Sequence, residues 1–226
     1  MYQSQVSFTL DTICPWTLIA KKRLDQALAQ VRASPTSEKI NYTLEFIPYQ
    51  LFPDFPETKD KNQWYLEEKH MGNPEGQRVF QEHMASLITP LGLTPRFDGD
   101  MGNTLHAHRV IQHFQEEKGP ETANALVDAL YKRYFTEARH PAADDTLVES
   151  CVEAGIDEEE AKKVVAGNNK ETGLRSVKEK LRTVAMDVDA VPIVTVEGKR
   201  RDITLQGAKE VADYVKALET VAKEST

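Results

Sequence analysis

Between Val6 and Leu10 apolar and polar residues alternate. Val6, Phe8 and Leu10 fall on one side and Ser7, Thr9 and Asp11 on the other, the two-residue period of a half-buried strand. The period then lengthens. Ala20, Leu24, Ala27, Leu28 and Val31 recur at helical spacing in a segment that opens at Pro15, where proline's missing N–H costs nothing. A turn at Ser34-Pro35-Thr36-Ser37 follows, and alternation returns with Tyr42, Leu44 and Phe46 inside Asn41 to Pro48. Strand, helix and strand in this order predict a parallel pair joined by a right-handed crossover.

Prolines 48, 53 and 56 interrupt the sheet, and from about residue 62 to 186 the pattern is helical with no convincing strand. Leu126, Val127, Leu130, Tyr131 and Tyr134 form one stripe, and Leu147, Val148, Cys151 and Val152 another. Leu174, Val177, Leu181 and Val184 make a third, while Asp157 with Glu160 resembles a capping box for a helix that Gly167 closes. Past Ala190 the short period is restored. Val191 to Lys199 reads as a strand and turn, Asp202 to Leu205 as its partner, and a last helix is predicted from about Gly207 to Val221. The order is therefore β-α-β, a long helical block, then β-β-α.

Composition narrows the function. The chain of 226 residues, 40% apolar and 28% charged, is long enough for a core of its own without staples. Its 28 basic against 36 acidic residues leave a net charge of −8, which argues against a nucleic-acid partner. Two cysteines, Cys14 and Cys151, rule out a disulfide scaffold or a multi-cysteine zinc module. His106, His108 and His113 are spaced wrongly for a shared zinc, so no metal is expected. No apolar run approaches the ~20 residues of a membrane span and no basic-then-apolar leader opens the sequence. The expectation is a cytoplasmic protein with no membrane association.

Cys14 stands where the first strand hands over to a helix, as N-cap before Pro15. Unpaired N–H groups at a helix N-terminus favour thiolate over thiol, which would lower the Cys14 pKa. The same residue could instead be a buried, inert cysteine. Cys151, on an apolar stripe, reads as core.

The surrounding residues decide between these. Asp11-Thr-Ile-Cys-Pro-Trp, followed by Leu18-Ile-Ala-Lys-Lys-Arg-Leu, resembles the active-site segment of the DsbA-like thioredoxin superfamily, in its FrnE-like branch. That branch is related to 2-hydroxychromene-2-carboxylate isomerases and kappa-class glutathione transferases. Asn103-Thr-Leu-His-Ala-His-Arg, Tyr134-Phe-Thr-Glu-Ala-Arg, Ala190-Val-Pro and Gln206-Gly-Ala resemble further segments of the branch, so the likeness spans nearly the whole chain. It implies an α/β thioredoxin fold with a large all-helical insertion: a thioredoxin-like domain of residues 1–60 and 187–226, and an insertion of residues 61–186 roofing a pocket over Cys14.

The family's redox members carry Cys-Pro-Trp-Cys, whereas this chain has Cys14-Pro15-Trp16-Thr17. A dithiol enzyme resolves its mixed disulfide with the second thiolate, and Thr17 cannot. The resemblance then implies a thiol-dependent oxidoreductase with a single active-site thiol, with glutathione as co-substrate and a small-molecule or peptide thiol or disulfide as partner. Two alternatives stay open: a glutathione-dependent isomerase or transferase acting on a small aromatic or polyketide-like electrophile, and a non-catalytic binding protein of the same fold. A homodimer is also compatible with the chain.

Cys14 and Thr17 are the candidate catalytic residues, the hydroxyl of Thr17 being placed to donate to a thiolate. Pro15 and Trp16 would line the groove. Pro192 should be cis and face Cys14, turning the backbone of Val191 toward an extended ligand such as glutathione. Gln206 and Gly207, at the start of the last helix, would either offer N–H groups to a ligand carboxylate or act as a plain cap. Asn103 is either a helix N-cap or a ligand contact, and His108 either packs or joins substrate contact and proton transfer.

Overall fold

The computed structural model describes residues 1–56, 58–166 and 173–225; Gly167, expected to close a helix, lies outside them. The chain opens with β1 (Tyr2–Leu10), α1 (Pro15–Arg32) and β2 (Ile40–Pro48), and β1 pairs parallel to β2 with Phe8 opposite Phe46. Phe8, Thr9 and Leu10 are all buried, so both faces of the sheet are covered at this end of the strand.

Next come β3 (Lys59–Asp60), α2 (Lys61–Trp64) with a π-helical turn over Tyr65–Lys69, α3 (Pro74–Ile88) and β4 (Asp100–Met101). β3 and β4 pair antiparallel, Lys59 opposite Met101, which places a strand inside the stretch that periodicity reads as purely helical. Two residues carry no period, so no pattern marks them. Gly99 makes the approach to β4 possible. Its φ is +89°, and a Cβ there would lie 2.3 Å from the Ala138 carbonyl oxygen.

Among the described residues, five helices complete the middle of the chain: α4 (Leu105–Lys118), α5 (Pro120–Thr136), α6 (Asp144–Glu153), α7 (Glu158–Ala166) and α8 (Leu174–Asp187). α4, α5 and α8 pack against β2, one edge of the sheet. Gln115 and Gln112 of α4 satisfy that edge: Gln115 Oε1 accepts from the Phe46 N–H at 2.8 Å, and Gln112 Nε2 donates to the Phe46 carbonyl at 2.8 Å. An edge strand so capped is closed to pairing with another chain at that point. Arg109, 2% exposed, ties α4 to the C-terminus of α7 by donating to the Val164 and Val165 carbonyls at 2.9 and 3.2 Å, where a cation complements the helix dipole.

β5 (Ile193–Val196), β6 (Ile203–Gln206) and α9 (Val211–Glu224) close the chain. The sheet order is β2-β1-β5-β6, with β5 antiparallel to both neighbours. α9 packs on α1, and the Tyr42 hydroxyl of β2 donates to the Leu218 carbonyl at 2.5 Å.

The last helix starts four residues later than periodicity suggests. Gln206 ends β6, Gly207 turns the chain at φ +77°, and Glu210 is the N-cap in a capping box with Asp213. Among the described residues no helix is long and apolar enough to cross a membrane.

Candidate functional site

β1 delivers Asp11 to the top of the sheet and a tight turn swings the chain into α1, the Cys14 N–H donating to the Asp11 carbonyl at 3.1 Å. Cys14 is the N-cap of α1 with extended backbone, and Pro15 follows at the first helical position. Across from it the Val191–Pro192 peptide is cis, and the Cys14 Sγ donates to the Val191 carbonyl at 4.0 Å. Strand end, helix start and cis proline loop therefore meet at one sulfur.

The thiol is not the exposed, acidified group that the junction suggests. Cys14 is 4% exposed, and burial pushes its pKa up to about 11. The first-turn N–H groups of Thr17 and Trp16 do lower it, as the helix N-terminus argument requires, but desolvation outweighs them and the Asp11 carboxylate adds to the rise. At pH 7 the thiolate fraction is on the order of one in ten thousand for a pKa of about 11. Three phenols, of the buried Tyr131 and Tyr134 and the partly buried Tyr65, lie within electrostatic reach of both Cys14 and Asp11, each with its pKa raised chiefly by desolvation.

Thr17 is fully buried, and its hydroxyl lies 2.8 Å from the carbonyls of both Asp11 and Cys14. With one proton to give and two carbonyls at full hydrogen-bond distance, it braces the turn, and its direct pull on the thiol is the smallest of the influences there. The role of thiolate donor assigned to it from sequence is accordingly minor. Cys151 is also sealed, 0% exposed, with burial pushing its pKa up to about 12.

Behind Cys14 sits a buried polar pair that sequence reading found only by half. Asp11 is fully buried; its Oδ2 accepts from the Leu51 N–H at 2.7 Å, and its Oδ1 lies 3.4 Å from Nε2 of His108, itself 1% exposed. Neither of those two facing atoms has a hydrogen-bond partner at full geometry. The spacing Asp11-x-x-Cys14 was the available signal for the carboxylate, since three residues across a turn return it to the thiol.

The remaining candidates separate. Trp16 is 39% exposed and lies over the His83 ring of α3 at 6.2 Å between centroids, at the rim of the site. Asn103 is engaged with protein throughout: it donates to the Pro53 and Phe55 carbonyls and accepts from the Leu105 N–H and Gln50. Gln206 and Gly207 do not open a helix, and the Gly207 N–H donates to the Pro192 carbonyl at 2.9 Å, so the anion-binding helix terminus expected there is absent. The acidic N-cap Glu210 would itself repel a carboxylate at the true helix start.

A helix N-terminal cysteine set against a cis proline on a four-stranded mixed sheet defines a thioredoxin-fold protein. The model of the DsbA-like thioredoxin domain matches residues 5–219, and the chain belongs to that family. Among solved structures it is similar to a probable DsbA oxidoreductase from Streptomyces coelicolor, with 26% identity, a TM-score of 0.81 and coverage of 99% of this chain and 92% of the other. Lower identities accompany the likeness of fold to a 2-hydroxychromene-2-carboxylate isomerase, at 15% identity, TM-score 0.58 and coverage of 96% and 93%. A cytosolic disulfide reductase from Pseudomonas aeruginosa, DsbM, stands at 13%, 0.54, and 97% and 95%. Comparison with curated proteins finds no match.

Proposed function

We propose that the protein is a single-thiol, glutathione-linked disulfide reductase of the DsbA/FrnE type. The observation that carries this reading is Cys14 Sγ facing the cis Val191–Pro192 peptide with a threonine, not a second thiol, at position 17. Cys14 attacks a glutathionylated substrate, forming a Cys14–glutathione disulfide and releasing the substrate thiol. A second glutathione then attacks that disulfide, restoring Cys14 and leaving oxidised glutathione. Each step breaks one S–S bond and forms one, and the thiol proton lost by the attacking sulfur returns on the leaving one.

The raised pKa supports the reducing direction. Strong oxidants of this chemistry hold their reduced form as a stabilised thiolate. A neutral, desolvated Cys14 lacks that stabilisation, so its mixed disulfide is the more readily kept. Asp11, placed beside the thiol, is the group positioned to receive the proton on attack, with His108 behind it.

The test is mass spectrometry after exposure of the native protein to oxidised glutathione. One adduct, at Cys14 and absent from Cys14→Ser, is expected, with Cys151 unmodified. Reduced glutathione should then release it. An isomerase or transferase would bind reduced glutathione without becoming loaded, and a non-catalytic binding protein would do neither; either result overturns the proposal.

A further inference from the structure

The two edges of the four-stranded sheet are finished differently. At β2 the glutamines of α4 occupy the outward main-chain groups of Phe46. At β6, among the described residues, nothing pairs with the outer edge. Edge strands are commonly guarded by a lysine, a proline or a bulge, and Ile203-Thr204-Leu205-Gln206 carries none of these.

The phase of the ladder says which groups face out. The Gly207 N–H donates to the Pro192 carbonyl at 2.9 Å, which extends the β5–β6 pairing one step past Ile193–Gln206. Hydrogen-bonded pairs alternate along an antiparallel ladder. Ile203 and Leu205 therefore turn their main-chain groups toward β5, and Thr204 and Gln206 turn theirs outward. Side chains alternate across the sheet as well. Ile203 and Leu205 are half-buried over an open groove against Ala217 and Thr220 of α9, while Thr204 and Gln206 are exposed on the other face.

We propose that β6 pairs with β6 of a second copy of this chain, antiparallel about a two-fold axis at Thr204, so that two four-stranded sheets join into one. A two-fold contact must be self-complementary, and this register is. Thr204 meets its own copy, the two exchanging both N–H···O bonds. Ile203 meets Leu205 on the groove side, so two half-buried apolar pairs cover one another. Gln206 meets Asp202, an amide against a carboxylate whose Oδ1 accepts from the Gly198 N–H at 3.1 Å and whose Oδ2 is left to receive. An axis at Asp202 would set two carboxylates against each other. An axis at Gln206 would run the pairing into the turn at Gly207, where φ is +77°. The groove rim carries both signs, Lys209 and Lys216 with Asp213, so two copies of it do not repel as two rims of one sign would.

The pairing rests on strand geometry and stands apart from the disulfide chemistry proposed for Cys14. Sedimentation equilibrium of the full-length protein under reducing conditions reads it directly. A monomer–dimer equilibrium is expected, with a dissociation constant below about 100 μM. Thr204→Lys sets like charges directly opposite each other on the axis. Position 204 is exposed in the single chain, so the fold should be kept, which circular dichroism checks, while the dimer dissociates at least tenfold more readily. A parent that stays monomeric at that concentration, whether or not the edge accepts some other strand, overturns the proposal. So does a dimer that Thr204→Lys leaves intact.

A second measurement reads the register and does not depend on that variant. Hydrogen-bonded antiparallel pairs hold their Cα atoms about 5.5 Å apart, within disulfide range. Thr204→Cys, in a Cys14→Ser background, should therefore join two chains when diamide oxidises the two thiols to one disulfide, Cys151 being 0% exposed. In this register residue 206 lies four positions along from its own copy, about 14 Å at ~3.4 Å per residue. Gln206→Cys in the same background should accordingly cross-link at least tenfold more slowly. Non-reducing electrophoresis separates the products, and reductant should return both to single chains. Equal rates at the two positions, or faster linking by Gln206→Cys, would overturn the pairing.

Discussion

At Cys14 two opposed effects act on one proton. The first-turn N–H groups of Thr17 and Trp16 stabilise a thiolate, while removal from water and the neighbouring Asp11 carboxylate destabilise it. Helix-terminus effects are worth about 1 kcal/mol, whereas full burial of an ionisable group shifts its pKa by as much as ~3–5 units. Burial wins. Alkylation of Cys14 by iodoacetamide should accordingly speed up about tenfold per pH unit from neutrality toward pH 10. The site-resolved rate is read by mass spectrometry, and a plateau below pH 8 would show an acidic, open thiol. Asp11→Asn removes one of the two raising influences and should increase the labelling rate at pH 8 by several-fold, provided Asn retains the bond from Leu51 N–H. An unchanged or slower rate would mean that the carboxylate acts on the thiol proton only as an acceptor.

The same competition between local signal and surroundings runs through the elements. β1, α1 and β2 were legible because each carries its period over nine or more residues, and the period alone implies the crossover. β3 and β4 are two residues each and were not. The start of α9 was misplaced because Gln206-Gly-Ala looks like a helix opening, while the capping box at Glu210 and Asp213 sets the true one. At α4 the ambiguity left open for Asn103 has a structural answer. Its carbonyl oxygen takes the Leu105 N–H at 2.9 Å and its amide nitrogen holds the 53–55 loop, so it anchors the loop to the first turn of α4. Asn103→Ala should cost about 2 kcal/mol, as lost caps and buried loop bonds do. Urea denaturation gives the stability change. The glutathione concentration for half-maximal exchange should stay within twofold of the parent, and a large rise would restore Asn103 as a ligand contact.

Over the whole molecule, what a linear reading missed is what lies far away in sequence. The thiol is 4% exposed, and the phenols of residues 65, 131 and 134, contributed by the helical block and not by the strand–helix junction that carries the cysteine, lie within electrostatic reach of it. A group neutral in the fold and freely ionised when unfolded makes stability depend on pH in a fixed direction. For Cys14 the unfolded value is 9.0 and the folded one about 11, so the folded state holds the proton more tightly. Its contribution is complete below pH 9 and is lost as pH rises through 9 to 11, by at most about 3 kcal/mol at ~1.4 kcal/mol per unit. Cys151, raised from 9.0 to about 12, acts in the same sense, and Lys61, lowered from 10.5 to about 8, acts in the opposite sense between those values. Those groups and the buried phenols are common to the parent and to Cys14→Ser, so they cancel in the difference between the two. Under reducing conditions the parent's unfolding free energy should therefore fall relative to Cys14→Ser between pH 8.5 and 11, approaching that ceiling. A difference that stays flat across this range would mean that water reaches the sulfur in the folded protein, and the reducing direction argued for its chemistry would lose its physical basis.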